Sequence, residues 1–224
     1  MKIYDCFMFF DEEMLLDLRL NVMDKYVDKF VITESTYMHS GKSKKLIFDK
    51  NKFKKFKDKI IYIVVDEEPS DLIQIKDSDT LNEKQIKMTI NAKKREMFQI
   101  NKTQEGIINA DNDDIIIVSD IDEIPNLEKT NIKNINNKLI FFKQKMFYYK
   151  LNLFYAEMPW FGTKACKKKY FKSPQWIRLI KNKIAIKSRI TNLWTTCLLV
   201  ENSKTLPNVN ENIQISKKLS VKDL

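Results

Sequence analysis

The stretch Asp113-Asp-Ile-Ile-Ile-Val-Ser-Asp-Ile-Asp-Glu-Ile-Pro125 decides how the chain is read. Ile115 to Val118 form an unbroken apolar run, the pattern of a strand buried on both faces in the middle of a parallel sheet. Asp120, Asp122 and Glu123 follow at once, and Pro125 ends the run. Ligands of open α/β sheets collect at the carboxyl ends of the strands, so these acids stand where a site is expected. Asp120 and Asp122 are two apart, and in an extended segment both point to the same side. Carboxylates that close repel unless a hard divalent cation takes oxygen ligands from one or both. Mg2+ and Mn2+ are commonly held by one or two carboxylates together with substrate phosphates. The pattern predicts a metal–diphosphate site with Asp120 and Asp122 as metal ligands. The alternative is a solvated acidic loop.

Around this stretch, strands and helices alternate. Residues 2–10 are aromatic-rich and read as a first buried strand, and Asp11-Glu12-Glu13 opens a helix over about 12–27 with Leu15, Leu18, Val22 and Tyr26 at helical spacing. Phe30–Glu34 reads as a second strand that carries the acid Glu34 to the same rim as Asp120, and Ser35–Lys42 as a loop. Phe53 and Phe56 anchor a short amphipathic helix in a lysine-rich run, and Ile60–Val65 is a third strand. A long helix, broken near Gly106, is expected over 82–110, with Arg95, Glu96, Gln99 and Asn101 crowding its middle. A helix near 127–137 and one or two strands within 139–153 complete an α/β fold with a mostly parallel sheet.

A chain of 224 residues, 43% hydrophobic and 31% charged, suits one soluble α/β domain. No apolar run approaches the roughly 18 residues of a membrane span, and acids interrupt the N-terminus too early for a secretory signal. Cys6, Cys166 and Cys197 lack ligand spacing and read as reduced thiols of a cytosolic protein, and a single histidine, His39, speaks against zinc. The net charge of +10 is almost all lysine, with arginine only at positions 19, 95, 178 and 189, which argues against nucleic acid as partner. Between Glu157 and Glu201 there is no acid, and the basic stretch 164–189 reads as a solvated face or as a positive wall for a leaving diphosphate or an anionic acceptor.

Tyr4-Asp5-Cys6-Phe7 with Phe10, Phe30-Val-Ile-Thr-Glu34-Ser35, Ser40-Gly41-Lys42, Asp58-Lys-Ile-Ile-Tyr62 and Val118-Ser-Asp-Ile-Asp-Glu-Ile-Pro125, in that order, resemble glycosyltransferase family 17. The resemblance covers roughly residues 2–180. It implies a GT-A-like three-layer sandwich over residues 1–190, followed by a divergent or shortened tail, 191–224. It further implies a UDP-sugar donor (UDP-GlcNAc), inversion at the anomeric carbon, β-1,4-N-acetylglucosaminyltransferase-like activity, and Mn2+ (or Mg2+) on Asp120 and Asp122. Asp5, Glu34, Lys42, Arg95, Gln99, Asn101 and Asp120 become donor-binding candidates; Ile100 stands where the family usually has a second arginine.

The Golgi relatives carry a membrane anchor and stem that are not seen here, which implies a bacterial or viral cytosolic form with at most peripheral membrane contact. Its acceptor would be a glycan or a lipid-linked saccharide. After Arg189 the family's glycine- and tryptophan-rich acceptor region is not recognisable, so the base is not placed by resemblance, and Glu123 and Glu157 are the nominal candidates. Two other classes stay open: a catalytically impaired sugar- or nucleotide-sugar-binding protein, and a metal-dependent nucleotidyltransferase. The latter wants a glycine-rich phosphate loop near the first strand, where residues 2–13 hold no glycine.

Overall fold

The structure, a computed structural model, describes residues 1–135, 137–147, 153–181, 197–200 and 213–215; for 156–159 and the last two segments it describes the backbone alone. Strand β1 (Ile3–Met8) is followed by helix α1 (Glu13–Met23), β2 (Lys29–Ser35), a 3-10 turn at Lys54–Phe56 and β3 (Ile60–Val65). Then come helix α2 (Leu81–Lys102), a 3-10 turn at Thr103–Ile107, and β4 (Ile115–Val118). The remaining strands are β5 (Leu139–Phe142), β6 (Gln144–Phe147), β7 (Phe154–Trp160), β8 (Lys164–Lys167), β9 (Cys197–Val200) and β10 (Ile213–Ile215), with helix α3 (Pro174–Leu179) after β8.

The main sheet has seven strands in the order β3-β2-β1-β4-β8-β5-β9. All run parallel except β8, which is antiparallel to both β4 and β5. Alternation along the strands feeds two cores. Ile3 and Phe7 of β1, Phe30 and Ile32 of β2, and Ile115 and Ile117 of β4 face α1 and residues 48–56. Cys6, Val31, Ile116 and Val118 face the opposite way, toward the end of α2, its 3-10 turn and α3. Burial on both faces is the reason these strands read as continuous apolar runs. Because β2 lies on one side of β1 and β4 on the other, the strand order reverses at β1, and the crevice outside the carboxyl ends of β1 and β4 is the topological switch point.

Helix α2 starts at a capping box, in which the Thr80 side chain accepts from Glu83 N and the Glu83 carboxylate accepts from Thr80 N. The expected break near Gly106 is a 3-10 turn laid against the sheet, where a Cβ on Gly106 would stand 2.4 Å from Val31 Cγ1. Three expectations need correction. The apolar face of α1 is Leu16, Leu20 and Met23 with Arg19, all buried, whereas Leu18 and Val22 are exposed. In α2, Ile86 and Ile90 also face solvent. In place of a helix near 127–137 the described residues hold one 3-10 turn, Ile132–Asn134: Asn126 accepts from Lys129 N through Oδ1 and from Thr130 Oγ1 through its carbonyl, local bonds that compete with a helix. The aromatic stretch 139–153 resolves into β5 and β6, and its residues 148–152 lie outside the described part.

Candidate active site

Past Val118 the chain makes one more ladder bond, Ser119 N to Cys6 O (3.3 Å), and then turns. Glu123 N donates to Asp120 O (3.0 Å), and Asp120 N donates to Glu123 Oε2 (3.0 Å). These reciprocal bonds satisfy backbone groups that have left the sheet. They also overturn the extended geometry expected for the acidic pair. Asp120 keeps a side chain 29% exposed, whereas Asp122 is buried.

Arg19 grips this turn from below. Its guanidinium is wholly buried and pairs with both carboxylate oxygens of Asp5, Nε to Oδ2 at 2.8 Å and Nη2 to Oδ1 at 2.6 Å. The remaining donors go to the turn itself: Nη1 to the carbonyls of Asp120 (2.8 Å), Ile121 (3.1 Å) and Glu123 (3.3 Å), and Nη2 to Ser119 Oγ (2.6 Å). A planar, fixed fork suits such a task, since each nitrogen meets an acceptor without further loss of side-chain freedom. Asp5, expected at the donor, is thereby placed in the core as the counter-ion of Arg19.

Glu123 is braced on its other side by Trp160, whose indole Nε1 donates to Oε1 (2.6 Å). Gly162 makes room for this, because a Cβ there would lie 1.8 Å from Glu123 Oε1 and 2.3 Å from Trp160 Nε1. Thr163 Oγ1 donates to the Glu123 carbonyl (2.8 Å). Burial pushes the Glu123 carboxyl up to about 7, and the neighbouring Asp120 charge adds to the rise. Lys164 is buried beside it and donates to the Arg178 carbonyl. Burial pushes its amine down to about 8; Glu123 opposes this and Arg178 reinforces it.

Arg178 of α3 closes the site from above. Nη2 meets Asp120 Oδ1 at 2.9 Å, while Nη1 meets Glu96 Oε1 of α2 at 3.1 Å and Gln175 Oε1 at 3.4 Å. Burial works against its charge, but the carboxylates of Asp120, Glu96 and Glu123 outweigh that and raise its pKa. Asn101 Oδ1 accepts from Gln175 N (3.0 Å) and docks α3 onto α2. Within the described part of the basic stretch, Arg178 reaches the acidic turn and Lys164 holds the Arg178 carbonyl, whereas Lys167 and Lys169 pair with Asp113. Lys183, Lys187 and Arg189 lie outside the described residues.

The other expected donor residues fall into a second cluster, at the carboxyl end of β2. Glu34 is buried, and its oxygens accept from Lys44 Nζ (2.5 Å), Ile47 N (2.8 Å), Phe48 N (3.1 Å) and Tyr62 Oη (2.7 Å), so it folds residues 44–48 onto the sheet. Gln99 donates to Thr33 O (3.1 Å) and accepts from Ser35 Oγ (3.3 Å), with His39 Nε2 at 3.2 Å. Arg95 pairs with Glu68 (2.6 Å) and underlies Gly41, whose φ of +90° is the left-handed region that favours glycine. Lys42, next in the chain, is exposed. Glu157 lies in β7, and its side chain is outside the described residues.

Sequence reasoning missed Arg19, Glu96 as partner of Arg178, Trp160 and Gly162. Only Gly162 carried a signal, as one of three glycines in the chain. Cys6 and Cys166 are free and buried; burial pushes Cys166 up to about 12 and Cys6 well above its ordinary value, so neither is a thiolate nucleophile.

No group of three or more His, Cys, Asp or Glu side chains in ligating geometry occurs among the described residues. The acidic turn thus offers a cation the half-exposed Asp120, with Asp122 next to it, since both Glu123 oxygens are engaged. That donor set fits a hard divalent ion that draws its other ligands from phosphate and water, and does not fit an all-protein cage. Among the described residues no helix is long and apolar enough to cross a membrane. A search of curated proteins finds no match for the chain. The sequence model of glycosyltransferase family 17, by contrast, matches residues 1–180, taking in β1, the acidic turn, α2 and α3 with Arg178, and on that match the chain belongs to glycosyltransferase family 17.

Proposed function

We propose that this glycosyltransferase moves N-acetylglucosamine or a related sugar from a UDP donor to a hydroxyl of a glycan or lipid-linked saccharide, with inversion and with a divalent metal, on a GT-A-like scaffold. The observation that carries the reading is the position of the turn Asp120–Glu123: the end of β4, at the switch point beside β1, within a chain of this family. A parallel β3-β2-β1-β4 order followed by the antiparallel β8 supports the scaffold.

Asp120 and Asp122 would hold Mn2+ or Mg2+. Such an ion, when bound, supplies Lewis-acid neutralisation of the departing diphosphate. The chain's own residues do the rest. Arg19 fixes the carbonyls of the turn, so the carboxylates keep their position without reorganising when charge develops. In the transfer the bond from the anomeric carbon to the diphosphate oxygen breaks, the acceptor oxygen forms the new bond on the opposite face, and its proton passes to a carboxylate. Glu123 and Glu157 are the proposed acceptors. A pKa near 7 suits Glu123 to exchanging a proton at neutral pH, but its oxygens must first leave Trp160 or the Asp120 amide.

Calorimetric titration of UDP with and without Mn2+ tests the reading. Binding should require the metal, and Asp122→Asn should weaken it by at least about tenfold, the equivalent of about 1.4 kcal/mol. Equal affinity in EDTA would refute it. A panel of UDP-sugars then identifies the donor by metal-dependent hydrolysis.

A further inference from the structure

Arg178 spreads one guanidinium over two carboxylates from different elements, giving a single nitrogen to Asp120 Oδ1 (2.9 Å) and another to Glu96 Oε1 (3.1 Å). Neither acid receives the bidentate grip that makes such a pair strong. Its main chain, by contrast, is tied down. Lys164 donates to the Arg178 carbonyl, and the Asn101–Gln175 bond pins α3 to α2. The side chain can therefore leave Asp120 while Glu96 and the backbone keep it beside the turn. It is 18% exposed and Asp120 is 29% exposed, so both are reachable from solvent.

A second cation on Asp120 would meet this guanidinium at close range in a partly desolvated site, and like charges there repel strongly. An anion placed between the two removes the conflict. The planar fork of an arginine matches two phosphate oxygens, which a carboxylate shared with Glu96 does not satisfy fully. We propose that Arg178 is a diphosphate-binding residue, held on Asp120 until a divalent cation and a diphosphate enter together, whereupon the cation takes Asp120 and the guanidinium takes the diphosphate. The inference rests on the metal–diphosphate reading of the same turn. It makes the metal and the diphosphate bind cooperatively, with Arg178 carrying part of the coupling.

The test is calorimetry on the full chain with two titrants, MnCl2 alone and UDP at saturating Mn2+, for the wild type, Arg178→Gln and Glu96→Gln. Removing the guanidinium frees Asp120, so Arg178→Gln should bind Mn2+ alone more tightly by about fivefold or more and yet bind UDP more weakly by at least about tenfold, both within the usual span of coupling between sites. A merely structural arginine would weaken both titrations, and that result overturns the proposal, as does an unchanged pair of affinities. Glu96→Gln leaves Asp120 as the carboxylate that Arg178 pairs with, beside the neutral Gln175. Mn2+ alone should then bind at least about fivefold more weakly, the lower end of the same span. This variant carries the test if thermal unfolding shows that Arg178→Gln does not fold, and no change in its Mn2+ affinity overturns the proposal. A wild type that binds no UDP with Mn2+ present refutes the donor reading beneath it, whereas wild-type binding that Arg178→Gln leaves intact refutes the role of Arg178 alone.

Discussion

Two arginines hold the acidic turn from opposite sides. Arg19 comes from α1 with no exposure, spends every nitrogen on Asp5, Ser119 and three turn carbonyls, and is bidentate to its carboxylate. Arg178 comes from the six-residue α3, retains 18% exposure, and divides its fork between Asp120 and Glu96. The same side chain thus performs two jobs, and its surroundings decide which. A buried charge with all donors satisfied is costly to disturb, because removing either partner strands the other. A partly exposed charge with single contacts can be exchanged, because water or a ligand can replace each one.

The comparison breaks first at Arg19. Arg19→Met leaves the Asp5 carboxylate buried without its partner and takes a donor from three turn carbonyls, of which Asp120 keeps Glu123 N and Glu123 keeps Thr163 Oγ1. Urea unfolding should show a loss of about 3–5 kcal/mol, the range for breaking a buried pair. The double variant Asp5→Leu/Arg19→Met should recover part of it. A loss below 1 kcal/mol would mean that the turn does not depend on the clamp.

Lys164, which holds the Arg178 main chain, gives the next largest effect, read through pH. Its folded-state pKa of about 8 lies below the ordinary 10.5, so between these values the unfolded chain binds the proton that the folded chain has released. Stability contributed by this group therefore rises from pH 8 to 10.5, by at most about 3 kcal/mol, and is lost as pH falls through 8. The difference in unfolding free energy between the wild type and Lys164→Met should move by that amount in the wild type's favour over this window. A flat difference would place the amine in water.

Gly162→Ala probes the opposite flank, where a Cβ would enter the space of Glu123 Oε1 and Trp160 Nε1. Overpacking of this kind costs about 1–3 kcal/mol, and the Trp160 fluorescence should shift as the indole loses its carboxylate. The smallest change is expected at the second arginine. Arg178→Gln should lower stability by less than about 1 kcal/mol, since Asp120 and Glu96 remain 29% and 23% exposed and solvent can take up their charges. Equal losses for the Arg19 and Arg178 variants would erase the distinction between clamp and exchangeable contact.

The face of α1 shows where reading the sequence goes wrong. Leu15, Leu18, Val22 and Tyr26 make an acceptable apolar stripe, but the buried stripe is Leu16, Arg19, Leu20 and Met23. An arginine in its centre disqualifies that stripe on hydropathy alone. Its match, Asp5, lies between Ile3 and Phe7 on the strand above, and nothing local to either residue announces the other. The amphipathic reading of Phe53 and Phe56 holds, since both are buried while Lys54 and Lys55 between them are exposed.

The acidic turn gives a similar lesson. The strand Ile115–Val118, its burial on both faces, its parallel pairing with β1 and the acids at its carboxyl end were legible in thirteen residues, its antiparallel pairing with β8 was not, and the order with the flanking motifs carried the family. Strands reveal themselves this way because double-sided burial demands apolar residues whatever the partners are. What the side chains do beyond Val118 depended on long-range partners: Arg19 a hundred residues upstream, Trp160 and Arg178 tens of residues downstream. They set Asp120 half-exposed and Asp122 buried where alternation predicted one shared side, and they moved Asp5 and Glu34 from the expected donor site into satisfied buried networks. A local pattern records how much apolar surface each residue must bury, and so the sequence alone determined the strands, their rim and the chemistry concentrated there. A charge in the interior is tolerable only when a partner arrives from elsewhere in the chain, so which charges are buried, braced or left exchangeable was decided by the tertiary structure alone.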